Sequence, residues 1–284
     1  MLTNSKIALP IALVLATASA AVAAPKLNTT QVAHDLLGGP AQRVYYQDLR
    51  THGNEQHLKI DKLGAGDFVF SSDPGSPNPT HSYETEGLLM SLDRPSSAAN
   101  GSSWAAVNLP NITMPQRFVL TATFIEPKIV SQIPNQPLLY QYAAALAPSF
   151  ANAYWGETSQ FRNVRQSGQP LTPDQRLKAP FAVPPVIGNP IMANLYNEVV
   201  DAQNPSPFTL VMDVDRSASD SAGHAMLFVG DQLADSAPFN FGNALTAATV
   251  FNNIQVGIAT AFGTNYRASV YVTEFEIWAP TPNH

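Results

Sequence analysis

Two pairs of glutamates, each set two residues apart, are the most chemically suggestive feature of this chain: Glu274 and Glu276 in Val270-Tyr-Val-Thr-Glu-Phe-Glu-Ile-Trp278, and Glu84 and Glu86 in Tyr83-Glu-Thr-Glu-Gly87. On an extended strand such residues share a face, with Cα atoms about 6.6 Å apart. That spacing suits the ~5–5.5 Å between the two carboxylates of a retaining glycosidase. The competing reading of Glu274 and Glu276 is a solvated outer face, with Phe275 and Ile277 turned into a core. Glu84 and Glu86 stand at the entrance to a strand, where loops commonly present functional groups; an ordinary polar edge competes. These four are the catalytic candidates. Glu126, before Pro127, and Glu157, after Trp155-Gly156, are acids that could complete either pair.

Other chemistries have less behind them. Asp213, Asp215, Asp220, Asp231 and Asp235 gather around one stretch of chain. Calcium takes six to eight oxygen ligands of this kind, so Asp213, Asp215, Asp220 and Asp231 form the candidate metal set and calcium the candidate cofactor. Turns also attract Asp for conformational reasons. The six histidines show no zinc spacing, no Gly-x-Ser-x-Gly elbow occurs, and the paired glycines lack the pattern of a phosphate-binding loop. Aromatic rings suit the apolar face of a sugar. Tyr140, Tyr142, Tyr154 and Trp155 cluster with Asn152, Gln160 and Arg162, and of these Tyr140, Tyr142, Asn152, Tyr154, Trp155 and Arg162 are the candidate ligand contacts. Pinning a long loop is their competing role.

The elements that must position these groups are strands. Phe208-Thr-Leu-Val-Met-Asp-Val-Asp215 sets Phe208, Leu210, Met212 and Val214 on one face and Thr209, Asp213 and Asp215 on the other, with Val211 the apolar exception. Ala225 to Val229, Ile254 to Ile258 and Ser269 to Trp278 follow between turn clusters, so Phe208 to Pro280 reads as one uninterrupted antiparallel meander. In the first half Gln116-Arg-Phe-Val-Leu-Thr-Ala-Thr-Phe124 alternates most cleanly. The alternation predicts Phe118, Leu120, Phe124, Phe208, Leu210, Met212, Leu227, Phe275 and Ile277 buried, and Thr209, Asp213, Glu274 and Glu276 exposed. Thr30 to Gly39 reads as a short helix capped by Thr30 and stopped by Gly38, and Asn189-Pro190 as the start of another over residues 191–200. Residues 40–66 are polar and ambiguous, and Pro127 to Pro207 is irregular. The result is an all-β, antiparallel two-sheet jelly-roll sandwich with a long irregular middle segment and few short helices.

Location and organisation follow from the ends and the composition. Residues 1–23 carry Lys6, an apolar run from Ile7 to Val22 and Ala21-Val22-Ala23, a secretory signal peptide cleaved after Ala23. The protein is then secreted or periplasmic, with no membrane insertion after cleavage. An irregular approach over residues 24–66 and a jelly-roll domain over 67–280 complete the organisation. The chain has no cysteine, which removes thiol catalysis and thiolate metal sites. Its 15 Lys and Arg face 21 Asp and Glu, and the leader holds Lys6 alone, so the remainder has 14 against 21, a net charge of −7. An acidic chain without basic runs excludes nucleic acid as a partner. Low charge (13%) and 24 prolines suit a loop-rich β protein.

The order of these pieces resembles the concanavalin A-like lectin/glucanase superfamily, whose two-sheet jelly roll also occurs in laminin-G-like modules. The resemblance rests on Phe118 to Phe124, the hairpin Phe208 to Asp215 with His224 to Asp231, Val256-Gly-Ile258 and the closing Val270 to Trp278. In that superfamily the hairpin often ends in a Val-Asp-Gly-like turn, here Val229-Gly-Asp231, and the last strand returns beside the first. The resemblance implies glycan recognition or processing on the concave sheet or its rim loops, and structural calcium near a sheet edge. The acidic motif Glu-x-Asp-x-Glu of its glucanases is absent; only Glu-Phe-Glu is present. Three functions fit: a secreted carbohydrate-binding, lectin-like protein; a glycan-cleaving hydrolase or lyase; and a surface or matrix interaction module without a small ligand. A glycan is the partner of the first two.

Overall fold

The structure, a computed structural model, describes residues 25–50, 58–72, 79–94, 102–110, 112–131, 139–147, 159–166, 177–181, 191–195, 207–215, 222–240, 253–261 and 266–282; from 139 to 195 it describes the backbone alone. They form one helix, α1 (Thr29–Leu37), and two antiparallel sheets. The nine-stranded first sheet holds β1 (Ala41–Asp48), β2 (Lys59–Asp61), β4 (Thr80–Tyr83), β5 (Leu88–Arg94), β7 (Arg117–Ser131), β12 (Phe208–Asp215), β13 (Ala222–Val229), β14 (Gln232–Asn240) and β16 (Tyr266–Pro280). The seven-stranded second sheet holds β3 (Val69–Ser72), β6 (Ser102–Pro110), β8 (Leu139–Ala147), β9 (Ser159–Gln166), β10 (Leu177–Phe181), β11 (Ile191–Leu195) and β15 (Asn253–Ala261).

The first sheet runs β14-β13-β12-β7-β16-β1-β2. The long closing strand β16 organises it. One edge pairs with β7 from Ser131 to Val119. The other edge is shared end to end, β5 pairing Tyr266 to Val272 and β1 pairing Glu274 to Pro280. The last strand therefore does return beside the first. The second sheet runs β11-β10-β9-β8-β15-β6-β3. The expected continuous meander is real only as far as β14. The chain then crosses to the second sheet as β15, between β6 and β8, and comes back to the centre of the first as β16. Alternation within a strand says which face is buried, not which sheet it joins.

All nine core residues expected from alternation are buried. Phe124 stacks on Phe208 at 5.1 Å, and Tyr45, Phe68 and Phe275 meet edge to face at 5.3 to 6.1 Å. Each such ring removed from water contributes roughly 1.5–3 kcal/mol. The other half of the expectation is corrected. Thr209, Asp213, Glu274 and Glu276 are buried as well, because the outer face of the first sheet is covered. Leu27 and Ala33 join Val119, Val211, Met226 and Trp278 in a second apolar cluster, with Val32, Leu36 and Leu37 of α1 packed against it. Val211, an exception on a polar face, is thus part of the seat of the helix.

Three local expectations change. The cap of α1 is Asn28, whose Oδ1 accepts from Gln31 N at 3.2 Å, while Gly38 ends it at φ 73° as expected. The ambiguous stretch after residue 40 begins with β1, a full member of the first sheet. The middle segment supplies four strands, β8 to β11, and Ile191–Leu195 is β11 rather than a helix start. Its backbone pairs residue for residue with Leu177 to Phe181. Over these five residues pairing overrides the i, i+4, i+8 apolar pattern of Ile191, Leu195 and Val199.

Candidate functional site

Alternation along β1 and β16 brings Asp48, Glu274 and Glu276 to the outer face of the first sheet, and each is met by a cation. Asp48 and Glu274 are register partners across the two strands. Arg50 donates from Nε and Nη2 to the two oxygens of Asp48 at 2.9 and 2.8 Å, and again from Nη2 to Glu274 Oε1 at 2.6 Å. Lys26 Nζ lies 2.6 Å from both Glu274 oxygens. Arg43 Nη1 donates to Glu276 Oε1 at 2.9 Å, and Thr121 and the Trp278 indole donate to its Oε2 at 3.1 Å. Arg43 also sits 4.3 Å from the ring centre of Tyr46. Arg117 pairs with Asp213 and donates to Leu36 O at 2.7 Å, tying α1 to β12.

The electrostatics follow. Hydrogen bonds with Asp48 push the Arg50 pKa up, against the opposing pull of burial. Burial first, and Glu274 second, push the Tyr46 phenol up to about 12. Four acids and four bases are matched beneath the N-terminal segment. A general acid or base needs a lone pair or proton turned toward substrate; these carboxylates spend theirs on sheet and helix. The two halves of the Glu274 and Glu276 pair are gripped by different cations and hold the layers together.

The second glutamate pair separates in the β4–β5 turn. Glu84 accepts from Ser82 Oγ at 2.9 Å and from Tyr271 Oη at 2.8 Å, whereas Glu86 is exposed. The aspartates do not gather either. Asp231 lies in the β13–β14 turn, beside the end of β12 where Phe208 pairs with Val229. Asp213, five residues along β12, is about 17 Å from that end. Asp213 is engaged by Arg117, Asp215 registers with Arg117, and Asp220 lies outside the described residues. Among the described residues no group of three metal-binding side chains occurs.

The outer face of the second sheet is built differently. Ala105, Val107, Leu109, Ile254, Val256 and Ile258 face the core, so Asn108, Gln255 and Gly257 alternate onto the outside. Gln255 Nε2 donates to Ser71 Oγ at 3.3 Å, linking β15 to β3 across β6. Asn108, between them, has its Oδ1 buried without a hydrogen-bond donor among the described residues. That oxygen has no accessible surface, and its neighbours Gln255 and Ala106 are buried as well, so this part of the outer face is covered. At Gly257 a Cβ would lie 2.2 Å from Ala105 O and 2.6 Å from Ala106 Cα, so nothing larger than glycine fits. The face is low and amide-lined there. None of the seven strands of this sheet contains Asp or Glu.

Of the expected ligand contacts, Tyr140 and Tyr142 are on β8 and Arg162 on β9, all in this second sheet; Asn152, Tyr154 and Trp155 lie outside the described residues. Register separates the three that are described. Tyr142 stands opposite Asn163 and Thr260, two residues from Ala144 opposite the core residue Ile258. Arg162 stands opposite Ala143, in the alternate row, as Asn108 and Gln255 are. Asn108 and Gln255 are absent from the candidate contacts. The signal for them was an amide one step out of phase with Val107 and Val256 on strands otherwise made of small and apolar residues.

No protein-family model and no curated protein sequence matches the chain. Among solved structures it is similar to an endo-1,3-β-glucanase from Streptomyces sioyaensis, 14% identical with a TM-score of 0.50, over 85% of this chain and 97% of that one. A laminarinase from Flavobacterium sp. UMI-01 is 12% identical at TM-score 0.48, over 84% of this chain and 100% of the other. A lectin from Bauhinia forficata in complex with GalNAc is 11% identical at 0.41, over 83% and 98%. The chain has the concanavalin A-like jelly-roll fold, and the likeness to the glucanase shows that fold alone.

Proposed function

We propose that this protein is an exported, lectin-like carbohydrate-binding module whose ligand lies on the outer face of the second sheet. One observation carries the reading: the strands of that sheet carry amides, the half-buried Asn108 among them, and no carboxylate. Amide donors and acceptors over a low floor recognise hydroxyls. Cleavage by the two-carboxylate route needs acids that these strands do not carry. The leader-like residues 1–23 support export, and among the described residues no helix is long and apolar enough to cross a membrane. The test is titration calorimetry of the leaderless chain against hits from a glycan array, beside a reducing-end assay on the same glycans. Binding without product, weakened by Asn108→Ala, is the expected result. Product release would turn the reading into a glycan-cleaving enzyme, and no binding to any glycan would leave an interaction module.

A further inference from the structure

Three of the four large apolar side chains exposed among the described residues stand on one side of the sandwich: Leu58 before β2, Val69 on β3 and Tyr83 on β4. There β4 and β2 lie end to end, outside β5 and β1. Measured along β16, Tyr83 is level with Val272 and Lys59 with Phe275, three residues or about 10 Å apart. Their register partners Leu88 and Gln47 face inward, Gln47 accepting from Tyr45 Oη at 2.8 Å, so Tyr83 and Lys59 turn toward the gap between the sheets. The edge of the second sheet meets them in that gap. Phe70 of β3 stacks on His81, two residues before Tyr83, at 4.0 Å. Lys59 Nζ donates to Gly66 O and to Asp67 Oδ1, both at 2.6 Å. The turn that carries Asp67 is held firmly: Asp61 accepts from the backbone N–H of Leu63, Ala65 and Gly66 at 2.8 to 3.2 Å, and Tyr45 Oη donates to Gly66 O. Tyr83 is 42% exposed and the Asp67 side chain 82%, so both are open to a ligand. Burial first, and then the charge of Asp67, push the Tyr83 phenol up, as their closeness requires.

We propose that Tyr83 and Asp67 form a sugar site of their own, taking one pyranose of a neutral glycan with its C–H face on the Tyr83 ring and adjacent hydroxyls on the Asp67 carboxylate. The site goes beyond the reading of the second sheet's outer face and does not need it. Tyr83 is the one exposed ring of phenylalanine, tyrosine or tryptophan among the described residues, and such a ring suits the apolar face of a sugar. A carboxylate can accept two hydroxyl hydrogens at once. Lys59 offsets the charge of Asp67, and Asp61, 3.9 Å from the same ammonium, spends its oxygens on the turn. Ring, carboxylate and ammonium together thus offer stacking, acceptors and donors, the mixture that fixes a polyol. A braced turn and a clipped edge strand leave little freedom to lose on binding.

The experiment follows the tyrosine-ring NMR signals of the leaderless chain during titration with laminarihexaose, cellohexaose and mannohexaose, the Tyr83 signal being identified by its loss in Tyr83→Phe. At least one hexaose should shift that signal saturably, and equally at 20 and 300 mM NaCl, since a neutral ligand is not screened. Titration calorimetry should then show Tyr83→Ala weakening the binding about tenfold or more. Asp67→Asn should weaken it severalfold, and Tyr83→Phe, which keeps the stacking ring, should stay near wild type. Asn108→Ala, on the second sheet, should leave the Tyr83 shift unchanged. Circular dichroism checks the fold of each variant, and the shift in the unmodified protein needs no stacking variant. Saturable binding that leaves the Tyr83 signal unmoved would overturn this site while glycan binding stands. Binding lost at the higher salt would overturn the neutral sugar. No response to any of the three hexaoses would overturn the site, and silence across the whole array would take the reading of the second sheet with it.

Discussion

The two sheets handle polar side chains on their outer faces in opposite ways. On the first, Asp48, Glu274, Glu276 and Asp213 are buried, and each has a cation within ion-pair reach. On the second, the described polar groups are neutral, and one of them, Asn108 Oδ1, is left unpaired. Burying a charge is tolerable only when it is paired and hydrogen-bonded. The ionic network therefore marks a surface that works inward, holding α1 and the N-terminal segment to the sheet. Among the described residues each face holds one buried polar atom without a partner, Arg43 Nε on the first and Asn108 Oδ1 on the second, so the faces differ in charge and not in completeness. Carboxylates at the right spacing are not by themselves a catalytic site, and here the spacing that suggested one belongs to the cohesive face.

The largest expected effect follows from breaking that network. Arg50→Ala leaves Asp48 without its bidentate partner and Glu274 with Lys26 alone. Removing one partner of a buried pair costs about 3–5 kcal/mol, a fall in melting temperature of roughly 6 to 20 °C at a chain length above 150 residues. A calorimetric melt within a degree or two of wild type would show that the first sheet does not depend on its ion pairs. Any glycan affinity should survive the substitution at temperatures where the variant is folded, since Arg50 is on the other sheet.

A smaller effect sharpens the role of the helix. Asn28→Ala removes the side chain that accepts from Gln31 N and should cost about 1 kcal/mol. Because Arg117 also binds Leu36 O at the far end of α1, hydrogen exchange should rise in residues 29–37 ahead of global unfolding. Uniform exchange across helix and sheet would mean that α1 opens only with the whole domain.

Much of the fold could be read from the residues. Alternation through Phe118 to Phe124, Phe208 to Val214 and Phe275 to Ile277 identified the inner face, because a one-residue slip would invert it. The partner of that alternation was not legible. Thr209, Asp213, Glu274 and Glu276 look like a solvated row, and only the apolar intruders Val119, Val211 and Trp278 signal a cover packed over it. The strands β8 to β11 were also hidden, since Ala143 to Ala147 has no alternation and prolines break the rest. Sheet membership is a long-range property: Gln255 comes to lie beside Asn108 only when β15 is found between β6 and β8. The glycan-contacting role expected of the aromatics met a similar limit, for Tyr142 and Arg162 are both on the second sheet but out of step.

On the second sheet the sign of the stability change should reverse. Asn108→Leu removes a buried oxygen with no donor and replaces it with an apolar side chain of similar size. Leaving such a group unsatisfied costs about 1–3 kcal/mol, so the variant should be as stable as wild type or up to about 1 kcal/mol more so. It should also bind its glycan at least tenfold more weakly, about 1.4 kcal/mol. Stability given up for function is the expected pattern at a binding face. A clear loss of stability would mean that Asn108 is a structural residue, and unchanged affinity would remove it from the site.

The smallest effect concerns pH and returns to the first sheet. The Tyr46 phenol is pushed up to about 12, by burial first and then by the nearby Glu274, with Arg50 opposing. An unfolded tyrosine titrates near 10. A folded pKa above the unfolded one means that the folded state keeps its proton longer, so the contribution to stability is whole below about pH 10 and drains away as the pH rises toward 12. Denaturant unfolding followed across that window should show stability falling with pH, and Tyr46→Phe should make the fall shallower. It will not abolish it, because burial and then Asp61 and Asp67 push the Tyr45 phenol up as well. An identical slope in the variant would mean that the phenol titrates no differently in the folded chain. A steeper slope would mean that ionised Tyr46 is welcome beside Arg43, whose guanidinium lies over its ring, and that the cations of this face outweigh its carboxylates.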